Sequence, residues 1–413
     1  TCFSNQVTSL SKSFLPSHLT ELQLLAPPTM ISFAGGMPNP NTFPFQTANF
    51  SVTNGINITF NQDLMKRALQ YSASQGVPEL VSWMNELQKS LHKPPTIDYS
   101  PEHGQMAICV TTGSQEANSK MFEMLLGAGD SIILDAPTYS GTLAALIPLG
   151  CKILSISNDQ HGMIPQSLLD VLSKWKPEDA KDPRCDIPRV LYTIPNGCNP
   201  TGASMTERRK REIYQIARKY DLLIIEDDPY YFLQFEQPWA PSFLSMDVDG
   251  RVMRSDSFSK ILSSGLRLGF LTGPKPLIDR IILHIQSSTL HTSTFTQPHV
   301  GTSAMLNYIC FYFYHRVIDF YSKQREAMLS AAEKWLKDLA EWHVPSAGMF
   351  IWLRLKGVPD TYQLIMEKAM EKEVMFVPGR AFMVDSSAPS AYIRASFSIS
   401  TPEEMDEVNS SPI

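Results

Sequence analysis

The stretch best supplied for chemistry is Ser257-Phe258-Ser259-Lys260, with Arg267 seven residues further on. A lysine amine attacks a carbonyl once burial or a neighbouring cation favours its neutral form, because the free ammonium titrates near ~10.4. Ser257, Ser259 and Arg267 supply hydroxyl and guanidinium donors that suit a phosphate, the guanidinium through paired charge-assisted bonds. The set is equipped to hold a phosphorylated aldehyde as a Schiff base on Lys260.

A rival chemistry shares these residues. Ser257-x-x-Lys260 also satisfies the pattern of serine acyl-enzymes such as penicillin-binding proteins. Their companion elements are missing: the chain holds no Lys-Thr-Gly, and Ser255-Asp256-Ser257 overlaps the same stretch without being Ser-Asp-Asn. A Ser-rich turn around one surface lysine is the plain structural alternative. The decision therefore falls to the elements that position the stretch.

Those elements alternate. Cys109 to Thr112, Ser131 to Leu134, Arg189 to Ile194, Leu222 to Ile225 and Arg251 to Arg254 read as short buried strands, and helical patterns separate several of them. Gly113-Ser114-Gln115 opens a helix directly after a strand, which presents free amides and a positive dipole end to an anion; Ser114 also suits a plain N-cap. Tyr139, Asn199, Asp227, Tyr230 and Lys260 all fall just beyond strand ends. This pattern predicts an α/β fold, a mainly parallel sheet covered on both faces with ligand groups at the carboxyl ends of its strands.

Other segments carry weaker expectations. Ile31 to Pro44, including Gly36, is a Gly/Pro-dense loop whose backbone can approach a ligand. Tyr71 precedes a helix with Leu80, Met84, Leu87 and Leu91 at helical spacing. In the helix Thr206 to Tyr220, Ile213, Ile216, Ala217 and Tyr220 face inward, and Arg208, Arg209, Lys210 and Arg211 read as a solvated face. Past about residue 290 a long helix with Met328, Leu329, Trp335, Leu336 and Leu339 on its apolar face precedes strands at Met349 to Leu355, Val374 to Val377 and Tyr392 to Phe397.

Composition bounds the answer further. A chain of 413 residues with 43% hydrophobic content can bury a large core. A net charge of -6 gives no footprint for nucleic acid or an anionic membrane, and no apolar run reaches the ~18 residues of a membrane span. Six cysteines without Cys-x-x-Cys spacing fit a reducing compartment, and nine histidines without a metalloprotease pattern predict no metal site. Residues 1 to 20 lack acids and are rich in Ser and Thr, like an organelle transit segment, but they lack arginine and suit an N-terminal arm equally well.

Taken together, Asn199-Pro200-Thr201-Gly202, Asp227-Asp228-Pro229-Tyr230, Ser257-Phe258-Ser259-Lys260, Arg267 and Arg394 resemble the fold type I pyridoxal-phosphate aminotransferases. Pro229 to Phe235, Met246 to Gly250 and Phe270 to Pro276 are similar to the members that act on kynurenine and 2-aminoadipate. The resemblance spans roughly residues 30 to 297 and 316 to 405. It implies an N-terminal arm and small-domain segment over 1–45, a large cofactor domain with a seven-stranded sheet over 46–290 and a small α+β domain over 291–413. It also implies transfer of an amino group from kynurenine or 2-aminoadipate to a 2-oxo acid such as 2-oxoglutarate. Cysteine-conjugate β-lyase chemistry and a non-catalytic cofactor-binding module are the alternatives.

The resemblance assigns roles as well. Lys260 would bind pyridoxal 5'-phosphate and move the substrate α-proton, Asp227 would face the pyridine nitrogen, and Tyr139 would stack on the ring. Asn199 and Tyr230 would donate to the phenolic oxygen. Ser114, Gln115, Ser257, Ser259 and Arg267 would take the phosphate, joined by Tyr71 from the other subunit of a homodimer. Arg394, with Asn199 and Gly36, would take the substrate carboxylate. The implied compartment is the mitochondrial matrix, with the cytoplasm as the alternative.

Three departures from the family stand out. The first arginine is Arg67, so the arm arginine expected near the substrate is missing. Gln297 to His315 does not look like the family's amphipathic helix, and no closing helix is expected after Glu407. Lost packing would loosen the small domain.

Overall fold

Short, almost fully buried runs of four to six residues become the central strands of the computed structural model. The structure describes residues 3, 6–16, 30–31, 33, 35–53, 57–297 and 314–410. A hairpin of β1 (Ala48–Ser51) and β2 (Asn57–Phe60) comes first. The large sheet follows from β3 (Met106–Thr111), β4 (Ser131–Ala136), β5 (Lys152–Asp159), β6 (Gly162–Met163), β7 (Val190–Thr193), β8 (Leu223–Asp227), β9 (Val252–Ser257) and β10 (Gly269–Pro274). Its order is β3-β10-β9-β8-β7-β4-β5-β6.

The pairs β5-β4, β4-β7, β7-β8 and β8-β9 are parallel, whereas β10 runs antiparallel to both its neighbours. Seven strands make the body of the sheet, and the two-residue β6 adds an eighth as a hairpin on its edge. Because β10 is reversed, its start lies at the same edge as the ends of the parallel strands. Arg267 therefore arrives beside Gly113, with Gly269 registered against Thr111.

Strand alternation sorts the core into layers. Ile132, Leu134, Val190, Tyr192, Leu223 and Ile225 face helices Ser114–Leu125 and Lys275–Ser288, which contribute Met121, Phe122, Ile278 and Ile281. Ile133, Leu191, Ile224 and Val252 face helices Pro165–Leu172 and Glu207–Lys219 on the other side. The same period sends Asp227 to the first face and Glu226 and Asp228 to the second.

One expectation fails on that second face. Lys210 is fully buried, not solvated, because it shares its helix face with Ile213, Tyr214 and Ala217. Its partners are electrostatic: Glu226, Asp228 and Arg254 lie close to it. Buried Arg254 meets Asp228 at 2.9 Å, Asp256 at 2.7 Å and Glu226 at 3.3 Å. A run of four basic residues hid one whose partners come from distant strands.

A second, antiparallel sheet has the order β11-β12-β14-β13, from β11 (Ala340–Trp342), β12 (Phe350–Leu355), β13 (Val377–Pro378) and β14 (Tyr392–Ser396). Only the end of the expected strand at Val374 to Val377 pairs. The helix Tyr314–Leu336 buries Met328, Ala331 and Ala332, but it ends before Leu339, which is exposed together with Trp335. Leu91 is also exposed, at the end of helix Pro78–His92. A helix Pro402–Ser410 does close the described chain: Met405 is buried, and Asp406 accepts from Trp335 Nε1 at 2.7 Å. The expectation for Gln297 to His315 falls almost wholly outside the described residues. Among the described residues no helix is long and apolar enough to cross a membrane.

The two sheets meet through glycines. A Cβ on Gly197 (φ +52) would lie 2.6 Å from the Gly348 nitrogen, and one on Gly202 (φ +68) would lie 2.8 Å from the Phe350 carbonyl oxygen. Asn196 to Gly202 therefore packs directly on the approach to β12, which places Phe350 at the edge of the large sheet.

Candidate active site

Ten of the residues singled out from sequence line one cavity of about 230 Å³ at the strands' carboxyl ends: Ser114, Gln115, Tyr139, Asn199, Asp227, Tyr230, Ser257, Ser259, Lys260 and Arg267. Ile194, Pro229, Ser264 and Phe350 complete its wall. Each strand delivers its own group: β4 leads to Tyr139, β7 to Asn199, β8 to Asp227 and Tyr230, and β9 to Ser257, Ser259 and Lys260.

One end of the cavity is built for an anion. Gly113 (φ +80) holds the N-cap position in place of Ser114, and the first-turn amides of helix Ser114–Leu125 have no partner within the helix. Arg267 sits in the left-handed region at φ +50, and its Nη2 and Nη1 donate to the carbonyls of Thr112 and Ser264, both at 3.2 Å. A Cβ on Gly113 would lie 2.6 Å from Arg267 Nη2, so the glycine makes room for the guanidinium. Ser257 Oγ accepts from the Ser259 amide at 3.1 Å, which folds the serine turn toward the lysine.

The other end is acidic and buried. Asp227 Oδ2 accepts from Tyr192 OH at 2.7 Å and from Asn118 Nδ2 at 2.8 Å, whereas Oδ1 is buried without a hydrogen-bond partner. Burial pushes the Asp227 carboxyl up to about 6 and outweighs these two donors. An unpartnered carboxylate oxygen at the bottom of a cavity calls for a cationic or N–H ligand group.

Lys260 is half-buried, and its amine titrates below the ordinary lysine range, first through burial and then through the Arg267 charge. That is the direction a carbonyl-attacking amine needs. A Cβ on Gly141 would lie 2.4 Å from the Tyr139 ring, so the glycine lets that ring lie over the chain, and Gln115 Nε2 donates to the Gly141 carbonyl at 3.0 Å.

Three predicted site residues lie outside this cavity. Arg394 on β14 is tied to it: its Nη1 donates to Asn199 Oδ1 at 2.9 Å, and its guanidinium lies between the rings of Phe350 and Phe382, 4.4 and 4.9 Å from their centroids. Arg394 Nε is buried without a partner. Tyr71 is exposed, edge-on to His291 with ring centroids 5.8 Å apart, and Gly36 lies on an exposed segment where an added Cβ would meet none of the described residues within 4 Å. Sequence reading missed Asn118, Tyr192 and Phe350. Asn118 lies four residues after Ser114, one turn along the same helix, but nothing marked it as facing Asp227.

Three larger cavities among the described residues, of about 430, 490 and 240 Å³, lie elsewhere; none combines a buried acid with a half-buried lysine. Among the described residues no cluster of His, Cys, Asp and Glu is placed to hold a metal ion. The donors that are present fit a phosphorylated pyridine aldehyde: an anion site, an amine and a buried acid around one space.

Such a site on such a sheet defines a pyridoxal-phosphate-dependent transaminase. The model of the aminotransferase class I and II family matches residues 41–411, and the chain belongs to that family. Its cofactor is pyridoxal 5'-phosphate and its substrates are amino acids and 2-oxo acids. Among curated relatives it is similar to the mitochondrial kynurenine/alpha-aminoadipate aminotransferases of Bos taurus, at 58% identity over 98% of this chain and 96% of the relative, and of Mus musculus, at 55% identity over 97% and 95%. Among solved structures it superposes on a kynurenine aminotransferase from Pyrococcus horikoshii with a TM-score of 0.77 at 27% identity, covering 98% of this chain and 95% of the other.

Proposed function

We propose that this aminotransferase takes the amino group from kynurenine or 2-aminoadipate and gives it to a 2-oxo acid, with 2-oxoglutarate the first candidate. The observation that carries the reading is Lys260 and Asp227 lining one cavity with an anion site beside the lysine. The names of the relatives at 54 to 58% identity support the substrate class.

Pyridoxal phosphate, when bound, supplies an electron sink for the pair left behind when the α-proton departs. Arg267, the serines Ser114, Ser257 and Ser259, Gln115 and the helix amides hold the phosphate, which fixes the reacting end against Lys260. Lys260 would hold the aldehyde end of the cofactor and would move the proton of the substrate α-carbon, aided by an amine already biased toward its neutral form. Asp227, through its unpartnered Oδ1, would accept from the ring nitrogen. Asn199, whose Oδ1 is occupied by Arg394, keeps its amide hydrogens for the ring oxygen, beside the Tyr230 hydroxyl. Tyr139 covers the ring face.

Arg394 is the carboxylate clamp for the substrate. Its guanidinium, held between two aromatic rings, presents a fork suited to two oxygens. Residues 1–66 hold no arginine, so no guanidinium from them reads the amino-acid side chain. Gly36 gives the backbone of that loop room to approach the substrate. The names of its relatives support a mitochondrial location, within which we propose the matrix. It acts as a homodimer in which Tyr71, exposed in the single chain, reaches the phosphate of the other subunit.

The test is turnover of kynurenine and of 2-aminoadipate with 2-oxoglutarate, following glutamate formation. Glutamate production from either donor supports the reading. Turnover of other amino acids alone overturns the substrate assignment. Release of pyruvate from cysteine conjugates without glutamate points instead to β-lyase chemistry.

A further inference from the structure

Asp227 is held from one side only. Both hydrogen bonds fall on Oδ2, from Tyr192 OH at 2.7 Å and Asn118 Nδ2 at 2.8 Å, and Oδ1 is left buried and open. The arrangement follows from strand and helix periods. Tyr192 and Asp227 share a face of neighbouring parallel strands, and Asn118 sits one turn into the helix packed on that face, the helix whose first turn lines the anion end. Thr142 Oγ1 donates to Tyr192 OH at 2.8 Å, so the phenol's own proton is directed to the carboxylate.

We propose that Asn118 and Tyr192, the latter aligned by Thr142, are positioning residues that fix Asp227 with Oδ1 aimed into the cavity and keep its carboxyl ionised. The proposal rests on the assignment of Asp227 to the ring nitrogen. The charge environment shows why such donors are needed. Asp228 and Asp256 across the sheet oppose ionisation of Asp227. Tyr230 and Cys198 face it from the loops after β8 and β7, with their own pKa values pushed up by burial and by the Asp227 charge. Tyr192 is pushed well above the ordinary tyrosine range by its burial, so it stays a donor. The cations on the cavity wall, Lys260 and Arg267, are assigned to the reaction and to the phosphate. Without Asn118 and Tyr192, no hydrogen bond from the described residues remains to favour the ionised carboxyl.

The test measures binding, not turnover. The cofactor is stripped from the full-length enzyme, and the Kd of added pyridoxal 5'-phosphate is measured from pH 5 to 8.5 for wild type, Asn118→Leu, Tyr192→Phe, Asp227→Asn and the Asn118→Leu/Asp227→Asn double variant. In the wild type the affinity falls as pH drops through the Asp227 titration, and Asp227→Asn lacks that limb. Asn118→Leu and Tyr192→Phe each move the limb upward by about one pH unit, the worth of one hydrogen bond to a charged group. In the Asp227→Asn background, Asn118→Leu has no further effect.

A loss of affinity that is equal at every pH reports general loosening and overturns the proposal. So does an unmoved limb in both single variants while Asp227→Asn abolishes it. If Asp227→Asn itself keeps the wild-type affinity and limb, the ring-nitrogen assignment beneath the proposal has failed as well.

Discussion

Arg394 Nη1 donates to Asn199 Oδ1 at 2.9 Å, joining β14 of the small sheet to the loop after β7 of the large one. The bond fixes the guanidinium beside the cavity, and the rings of Phe350 and Phe382 clamp its faces. Arg394→Lys keeps the charge but loses the fork and the stacking. About 3 kcal/mol of substrate carboxylate binding should go with it, so kcat/KM falls about 100-fold. Steady-state kinetics on any accepted amino donor checks this, with the cofactor affinity unchanged.

The contact between Gly113 and Arg267 gives a second prediction. Gly113→Ala puts a methyl 2.6 Å from Arg267 Nη2 at a backbone angle that favours glycine. The arginine must move off the anion site, and the local strain costs about 1 to 3 kcal/mol. Pyridoxal phosphate affinity should fall at least tenfold in equilibrium titration, while kcat at saturating cofactor changes less.

Asp227 makes the stripped enzyme sensitive to pH. Its carboxyl is raised by burial to about 6 in the folded protein, against 3.8 for the free group, so the folded state binds the proton more tightly than the unfolded state does. Stability therefore falls as pH rises from about 4 to 6, and the full cost, ~3 kcal/mol in order of magnitude, is present above 6. Asp227→Asn should raise the melting temperature of the cofactor-free protein at pH 7.5 but not at pH 4. In the loaded enzyme the advantage should vanish, because the wild-type carboxylate then has its partner.

The buried charge network beneath the site is a fourth test. Removing Arg254 leaves Lys210 as the buried cation near Glu226 and Asp228 among the described residues, and takes from Asp256 its ion pair. Arg254→Met should cost about 3 to 5 kcal/mol or prevent folding outright. Denaturant titration of soluble protein checks the first outcome.

What could be read ahead of the structure follows from locality. Ser257, Ser259, Lys260 and Arg267 lie within eleven residues of chain, and Asp227 ends a strand that announces itself by its apolar run, so their types and order sufficed. Five strands of the large sheet were legible for the same reason, but β10, the two-residue β6 and the partly exposed β5 were not, the last because its apolar residues are interrupted by serines and form no continuous run. Lys210 was not, because its surroundings are set by Glu226 and Asp228 at the end of β8 and by Arg254 on β9, 44 residues away at the furthest. Asn118 and Tyr192 were silent too: a polar residue on an apolar helix face and a tyrosine in a strand gain meaning only where the two elements cross. Trp335 and Leu339 fitted a helical spacing, but the helix stops at Leu336 and the pattern ran on past it.

The central claim is that the amine of Lys260 is the one that takes the cofactor, with Asp227 facing it across the same space. Borohydride reduction of the loaded enzyme, followed by proteolysis and mass mapping, tests it directly. The account predicts a single pyridoxyl adduct on the peptide carrying Lys260, lost in Lys260→Ala. An adduct on any other lysine, or a Lys260→Ala variant that still transaminates at the wild-type rate, would contradict it.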